Sequence, residues 1–207
     1  MGEGPGERFE QAVARFDRAN AEDPNHERVD GVDTPKELVY ARRMSERLAR
    51  FEPDASEPLR LAVRSQHVRR WTIPRAEFPD GREGYREWRT RLAAFHAKTA
   101  GAILRDLGYE SDVVARVESL LRKEGLKADA DAQTLEDVAC LVFLEHQAAT
   151  FASQHEEAKL LDILRKTWRK MSERGRAAAL DLKLAPAVRV LVERAVVAEK
   201  TLLKRAV

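Results

Sequence analysis

The sequence predicts an all-α protein that forms a single globular domain of about seven to nine helices. Apolar residues recur at spacings of three and four along most of the 207 residues, as where Phe9, Val13 and Phe16 share one face. No stretch alternates between apolar and polar residues for long enough to predict a strand. Glycines and prolines fall between the periodic segments, where they end helices or form loops.

Local signals place the helix boundaries. Thr34 followed by Pro35 is typical of an N-cap and a first helical position. Ser56 caps the next predicted helix, which is expected to reach about residue 71 and to contain His67. Gly108 fits the position just after a long helix. The helices expected beyond residue 71 cover 85–107, 110–123, 129–152, 156–173, 175–183 and 186–205.

Three segments make up the predicted domain organisation. Residues 1–7 are rich in glycine and proline and are expected to be disordered. Residues 8–183 are expected to form the all-α domain. Residues 184–207 are expected to form a C-terminal helix that packs on the domain or on a partner, such as the second copy in a homodimer.

Composition excludes several classes of protein. The chain is 43% hydrophobic and 35% charged, but its net charge is only +2, too small to indicate nucleic-acid binding by itself. The single cysteine, Cys140, excludes an intramolecular disulfide and a multi-thiolate zinc site. The chain start lacks the apolar core of a signal peptide, and the longest apolar run, VACLVFL, is too short to span a membrane. We therefore expect a cytoplasmic protein that does not bind membranes.

Two histidines and an aspartate are the candidate metal ligands. His96 faces the apolar side of its predicted helix, while His67 lies in the basic stretch RSQHVRRWTIPR, residues 64–75. Asp137 opens the most apolar helix, where a buried carboxylate needs a cation or several N–H donors. Two imidazoles and one carboxylate suit a divalent transition metal (Fe, Mn, Zn or Co) with open positions. The alternative is that each side chain makes only local hydrogen bonds, with Asp137 stabilising its helix N-terminus.

Other polar residues extend the candidate site. Asp137 and Glu136 are the candidate catalytic carboxylates. Asp17, Asn20 and Asp23, in FDRANAEDPN, are interpreted as caps and turn residues or as contacts to the substrate or site. Glu37 is interpreted as an acid favoured at a helix start. A small anionic substrate is the predicted ligand of four arginines, since guanidinium groups suit phosphate: Arg64, Arg70, Arg75 and Arg82.

Several longer phrases carry a resemblance to a known family. They include FDRANAEDPN, ELVYARRM, RSQHVRRWTIPR, FPDGREGYREWR, LEDVACLVFLEH and DILRKTWRKMS. Over about residues 8–183 the chain resembles a domain-of-unknown-function family of bacteria and fungi. Some fungal members of that family are labelled glutamyl-tRNA synthetase, but the chain has no nucleotide-binding signature to support the label. The resemblance implies a family and no established activity.

A more distant resemblance is to the HD-domain metal-dependent phosphohydrolases, which are all-α. Their pattern is a histidine, a later His-Asp pair and a further aspartate; His67, His96 and Asp137 follow in that order. Ala97 replaces the aspartate of the pair, so Asp137 or Glu136 would have to supply that carboxylate. The resemblance implies a metal-dependent hydrolase for a phosphorylated small molecule or nucleotide. Two alternatives are a non-enzymatic anion- or RNA-binding module and a non-haem iron protein.

Overall fold

The computed structural model describes residues 5–205, and it is all-α apart from one short hairpin, in agreement with the predicted fold class. Its contacts divide the chain into two compact units, Met1–Leu135 (unit 1) and Glu136–Val207 (unit 2). The N-terminal helix begins at Pro5, within the segment 1–7 that was expected to be disordered. Residues 1–4 of that segment lie outside the described range.

Unit 1 contains five complete helices, the hairpin and the start of a sixth helix. In chain order these are α1 (Pro5–Asn20), β1 (His26–Val29), β2 (Val32–Pro35), α2 (Lys36–Phe51), α3 (Glu57–Ser65), α4 (Gly81–Asp106), α5 (Ser111–Arg122) and α6 (Ala130–Val142). Two short 3-10 turns, Arg70–Thr72 and Arg75–Glu77, lie between α3 and α4.

The core of unit 1 is built around α3, which packs against α1, α2 and α5. Leu59, Leu61 and Val63 of α3 are fully buried, because a short helix surrounded by others is apolar on more than one face. Ser56 caps this helix as predicted, its hydroxyl accepting a hydrogen bond from the Leu59 N–H. The predicted end near residue 71 is wrong, because α3 ends at Ser65.

The hairpin was not predicted, since its two strands have only four residues each. Asp30 and Gly31 form its turn with φ angles of 50° and 81°, both in the left-handed region that such tight turns require. Pro35 therefore closes β2 instead of opening α2. The N-terminus of α2 is capped from a distance, since the Asp23 carboxylate accepts the Glu37 N–H at 3.0 Å.

Unit 2 contains the remainder of α6 and four further helices. After a π-helical turn at Phe143–Gln147 come α7 (Ala148–Gln154), α8 (Glu157–Lys170), α9 (Glu173–Leu180) and α10 (Pro186–Arg205). Its core includes Leu144, Leu160, Leu164 and Trp168, and α10 packs against α8. Among the described helices of the chain, none has the length and apolar character needed to cross a bilayer.

Candidate functional site

His67 and Glu37 form a largely buried carboxylate–imidazole pair. The chain leaves α3 through a turn at residues 66–69, so His67 lies on this turn and not on a helix as predicted. Its Nδ1 is 3.1 Å from Glu37 Oε2 in the first turn of α2. The ring also stacks on Tyr40, with centroids 4.1 Å apart. One fifth of the His67 side chain remains exposed, so a small solute can reach it.

His96 is the second imidazole of the cluster, and it faces the core as predicted. The residue is 4% exposed, and its ring centroid lies 5.8 Å from that of His67. Its Nδ1 is 2.9 Å from the carbonyl oxygen of Val68. A carbonyl can only accept, so Nδ1 carries the proton and Nε2 carries a lone pair. That Nε2 is buried and has no hydrogen-bond partner among the described residues.

Burial and neighbouring charges keep both imidazoles neutral near pH 7. Burial, and then the positive charge of Arg70, hold the pKa of His67 well below its ordinary value. Burial, and then His67, lower the pKa of His96 to about 3. Burial raises the pKa of Glu37 to about 7, against the opposing effect of Arg70. A neutral imidazole is the form that binds metal ions.

Asn20 and Asp23 hold the elements that carry the pair. Asn20 is fully buried; its Oδ1 accepts the Arg69 N–H at 3.0 Å, and its Nδ2 donates to the Glu37 carbonyl at 3.4 Å. One oxygen of Asp23 accepts the Glu37 N–H, and the other accepts two N–H groups of Asn25. The end of α1 and the loop after it therefore fix both α2 and the His67 turn.

Arg70 is the cation of this cluster. Its guanidinium lies over the Trp88 ring, 4.8 Å from the centroid, and its Nη1 is 4.0 Å from Glu37 Oε1. Its Nε is buried without a hydrogen-bond partner in the described structure. Trp88 is itself held by an indole N–H hydrogen bond to the Ile73 carbonyl at 2.9 Å. The guanidinium therefore has one face packed and donors that its neighbours do not fully use.

The other three predicted substrate-binding arginines have different surroundings. Arg64 forms a bidentate ion pair with Asp17, at 2.6 and 2.8 Å, which ties α3 to α1. Arg75 donates to the carbonyl oxygens of Phe78 and Pro79 and so stabilises its own loop. Arg82 is exposed in the first turn of α4. Arg70 is the one of the four that contacts Glu37.

Asp137 and Glu136 belong to unit 2, where both are buried. The Asp137 carboxylate accepts the Ser172 N–H at 2.8 Å and the Ser172 hydroxyl at 2.5 Å. Ser172 in turn caps α9 by accepting the Gly175 N–H. Glu136 lies 3.4 Å from the Lys170 ammonium. These contacts of Asp137 support the N-terminus of α9.

Metal-ligand geometry can be stated for the described residues. Across residues 5–205 no three His, Cys, Asp or Glu side chains are grouped so that they could hold one ion. The imidazoles of His67 and His96 lie close together in unit 1, with ring centroids 5.8 Å apart. Participation of Asp137 or Glu136 in a metal site stays a prediction from the sequence.

Glu37 is the functional candidate that sequence reasoning missed. As the second residue of α2 it was explained by the helix dipole, which favours an acid there whatever else it does. The contact that distinguishes it joins residues 30 positions apart, so no local pattern contains it. A burial signal was present, since Glu37 is followed by the apolar residues Leu38 and Val39, and all three are buried.

Comparison with known proteins gives a family. A family model described as a domain of unknown function, DUF4202, matches residues 10–192, most of the chain. No curated protein matches the chain. No solved structure matches it either. The resemblance to a domain-of-unknown-function family is confirmed, while the similarity to HD-domain phosphohydrolases stays a prediction.

Proposed function

We propose a function for this chain, which belongs to the DUF4202 family: a metal-dependent hydrolase that acts on a phosphorylated small molecule or nucleotide. The observation that carries the proposal is the pattern of hydrogen bonds around two imidazoles. Nδ1 of His67 and of His96 each has an acceptor beside it, a carboxylate and a carbonyl. This is the environment that histidine ligands of metals ordinarily have, with the other nitrogen left for the ion.

The donor set fits a divalent transition metal. His96 Nε2 is a buried lone-pair nitrogen without a partner among the described residues, which costs free energy unless something binds there. His67 lies beside it and is partly exposed, so an ion can enter from solution. Of the four metals expected from the sequence, Zn and Fe suit imidazole donors best. With only two protein nitrogens, the remaining positions would be open to water and substrate.

A metal with open positions supplies an activated water near neutral pH. The protein's own groups would provide orientation and charge. Arg70, held against Trp88 and 28% exposed, would bind a phosphoryl oxygen through its guanidinium group. The guanidinium would then offset the negative charge that grows on the phosphoryl group during hydrolysis.

The ion pairs argue against the RNA-binding alternative. Two cations of RSQHVRRWTIPR, Arg64 and Arg69, each form an ion pair with a carboxylate of this chain. A surface that reads phosphates needs cations free to replace counterions. Arg64 in particular is 11% exposed and bidentate, and thus unsuited to such a contact.

The test is metal analysis of protein purified without an affinity tag, combined with hydrolysis of p-nitrophenyl phosphate. We expect one transition-metal ion per chain after reconstitution, and hydrolysis that chelation removes and the metal restores. His67→Ala and His96→Ala should each lose both properties. His26→Ala is the matched control, because His26 lies exposed on the hairpin beside Asp33. Protein that binds no metal, or whose metal content ignores both site variants, contradicts the proposal.

Two further outcomes identify the alternatives. A bound iron together with oxygen consumption, and no phosphatase activity, would favour the non-haem iron protein. Metal-independent binding of an RNA oligonucleotide that weakens steeply with salt would favour the anion-binding module.

A further inference from the structure

The strongest unassigned feature is the buried chain of hydrogen bonds that leads to His67. Asp23 accepts the N–H of Glu37, and Asn20 donates to the carbonyl of the same residue. Glu37 is 7% exposed, and its carboxylate faces His67 at 3.1 Å. Burying a carboxylate costs desolvation free energy. An acid that only stabilised the start of its helix could do so from an exposed position, so its burial beside His67 needs another reason.

Asn20 connects the start of α2, which carries Glu37, to the turn that carries His67. Its Oδ1 accepts the N–H of Arg69, two residues after His67, while its Nδ2 holds the start of α2. Arg69 has a φ of 52°, so the turn adopts a conformation that a non-glycine residue rarely takes. The hydrogen bond from Arg69 therefore helps to keep the turn, and with it His67, in one position relative to Glu37.

Tyr40 confines the imidazole from a second direction. Its ring is nearly parallel to that of His67, with an interplanar angle of 12°, and its hydroxyl donates to Gln66 at 2.8 Å. The ring plane of His67 is thus set by stacking, and rotation within that plane is limited by Glu37. An unconstrained neutral imidazole populates both tautomers, whereas an ionised carboxylate beside Nδ1 accepts only from an Nδ1–H.

We infer that Glu37, held by Asn20 and Asp23, is a positioning residue that fixes the Nδ1–H tautomer of His67 and so presents Nε2 to a metal ion. The inference rests on the proposed function for the identity of the ligand. The tautomer itself can be observed in the metal-free protein. Outer-shell carboxylates of this kind are worth about 10–100-fold in metal affinity.

The experiment uses the full chain labelled with 15N-histidine, treated with chelator and held at pH 8. Long-range 1H–15N correlation spectra identify the tautomer of each ring, and Zn²⁺ is then titrated by calorimetry. Wild type should show Nδ1–H for His67 and for His96. Glu37→Leu should shift His67 toward Nε2–H and weaken Zn²⁺ binding about 10–100-fold. Glu37→Gln, which keeps an acceptor oxygen, should retain the tautomer in larger part.

The control is Glu27→Leu, which removes the carboxylate that pairs with Arg43 and should leave both tautomers and Zn²⁺ affinity unchanged. An Nε2–H tautomer of His67 in wild type, or a tautomer that ignores Glu37→Leu, overturns the inference. Wild type with the expected tautomers that binds no Zn²⁺ overturns the proposed function but supports the positioning role. If Glu37→Leu fails to fold, Asp23→Asn gives a milder change, with a smaller shift in the same direction.

Discussion

The carboxylate of Glu37 lies 3.1 Å from Nδ1 of His67, although the two residues are 30 positions apart and belong to different elements. The pair joins the start of α2 to the turn that carries His67, beside the hydrogen bonds that Asn20 makes to both. Around it the chain supplies a second neutral imidazole, His96, and a cation, Arg70. The proposed function requires this arrangement to stay rigid, and two of the following changes alter its supports.

Replacing Asn20 with alanine should destabilise the protein. The change leaves the Arg69 N–H without its acceptor, at a cost of about 1–3 kcal/mol, and removes a donor from the Glu37 carbonyl. Urea unfolding should show a loss of about 1–3 kcal/mol. Asn25→Ala is the control, since Asn25 is exposed and water can replace its bonds. Equal stability of the Asn20 variant and wild type would show that the buried amide does not hold the turn.

Arg69 offers a test of backbone strain. At a φ of 52°, glycine is free of the side-chain clash that alanine retains. Both variants lose the exposed ion pair with Glu22, so their comparison isolates the backbone. We expect Arg69→Gly to be more stable than Arg69→Ala by about 0.5–1 kcal/mol in thermal or urea unfolding. The opposite order would mean that residue 69 is not left-handed in solution.

Asp137 and Ser172 should be energetically coupled. Two hydrogen bonds to a buried carboxylate join them, and bonds to charged groups are worth about 1.5–3 kcal/mol each. A double-mutant cycle with Asp137→Ala and Ser172→Ala should therefore give a coupling free energy of about 1–3 kcal/mol. Because alanine keeps the backbone N–H of Ser172, the cycle reports mainly on the hydroxyl.

Measuring Zn²⁺ affinity distinguishes the support that Asp137 gives to α9 from the metal-ligand role that the sequence predicts for it. If Asp137 serves only α9, Asp137→Asn should lower stability and leave Zn²⁺ affinity unchanged. A large loss of Zn²⁺ affinity in a variant that still folds would favour the predicted ligand set of His67, His96 and Asp137.

The ion pair of Asp129 should contribute to the free energy of unfolding, and acid should remove that contribution. Its carboxylate is paired with Arg116 and accepts the N–H groups of Asp131 and Ala132, and these contacts lower its pKa to about 2. A carboxyl whose pKa is lower in the folded state stabilises the fold above its unfolded value, near 4. That contribution is lost as the pH falls toward 2.

The Asp129→Asn variant isolates this charge, since asparagine can still cap the helix. Urea unfolding should show it less stable than wild type by about 0.5–1 kcal/mol at pH 7, as for a partly exposed pair. The difference should narrow between pH 4 and pH 2. A difference that stays constant with pH would mean that the carboxylate is not selectively stabilised by folding.

Local signals predicted most of the helices. Apolar spacing located the helices, and Ser56 and Gly108 act at their ends as their chemistry requires, with Gly108 at a φ of 71°. The hairpin was not predicted, because strands of four residues are too short to show an alternation of apolar and polar residues. Asp30-Gly31 is nevertheless a recognised turn signal. The predicted start of α2 at Pro35 was one residue early, because proline suits both the end of a strand and the start of a helix.

The site was predictable only in part. His67 and His96 stood out as a basic-face and an apolar-face histidine, and the structure brings their rings within 5.8 Å. Their partners were not visible, because Glu37 and Val68 reach them through tertiary contacts that local periodicity does not record. The arginines show the same limit, since only the fold distinguishes Arg64, paired with Asp17, from Arg70 beside Glu37.

Calorimetric titration of Zn²⁺ into chelator-treated protein tests the central claim most directly, by comparing wild type with His67→Ala, His96→Ala and the control His26→Ala. We predict one ion per chain for wild type and for the control. Each site variant should lose more than the 10–100-fold that an outer-shell partner is worth, while circular dichroism shows that it remains helical. Equal affinity of all four proteins, or no binding by wild type, would contradict the claim that these two imidazoles form a metal site.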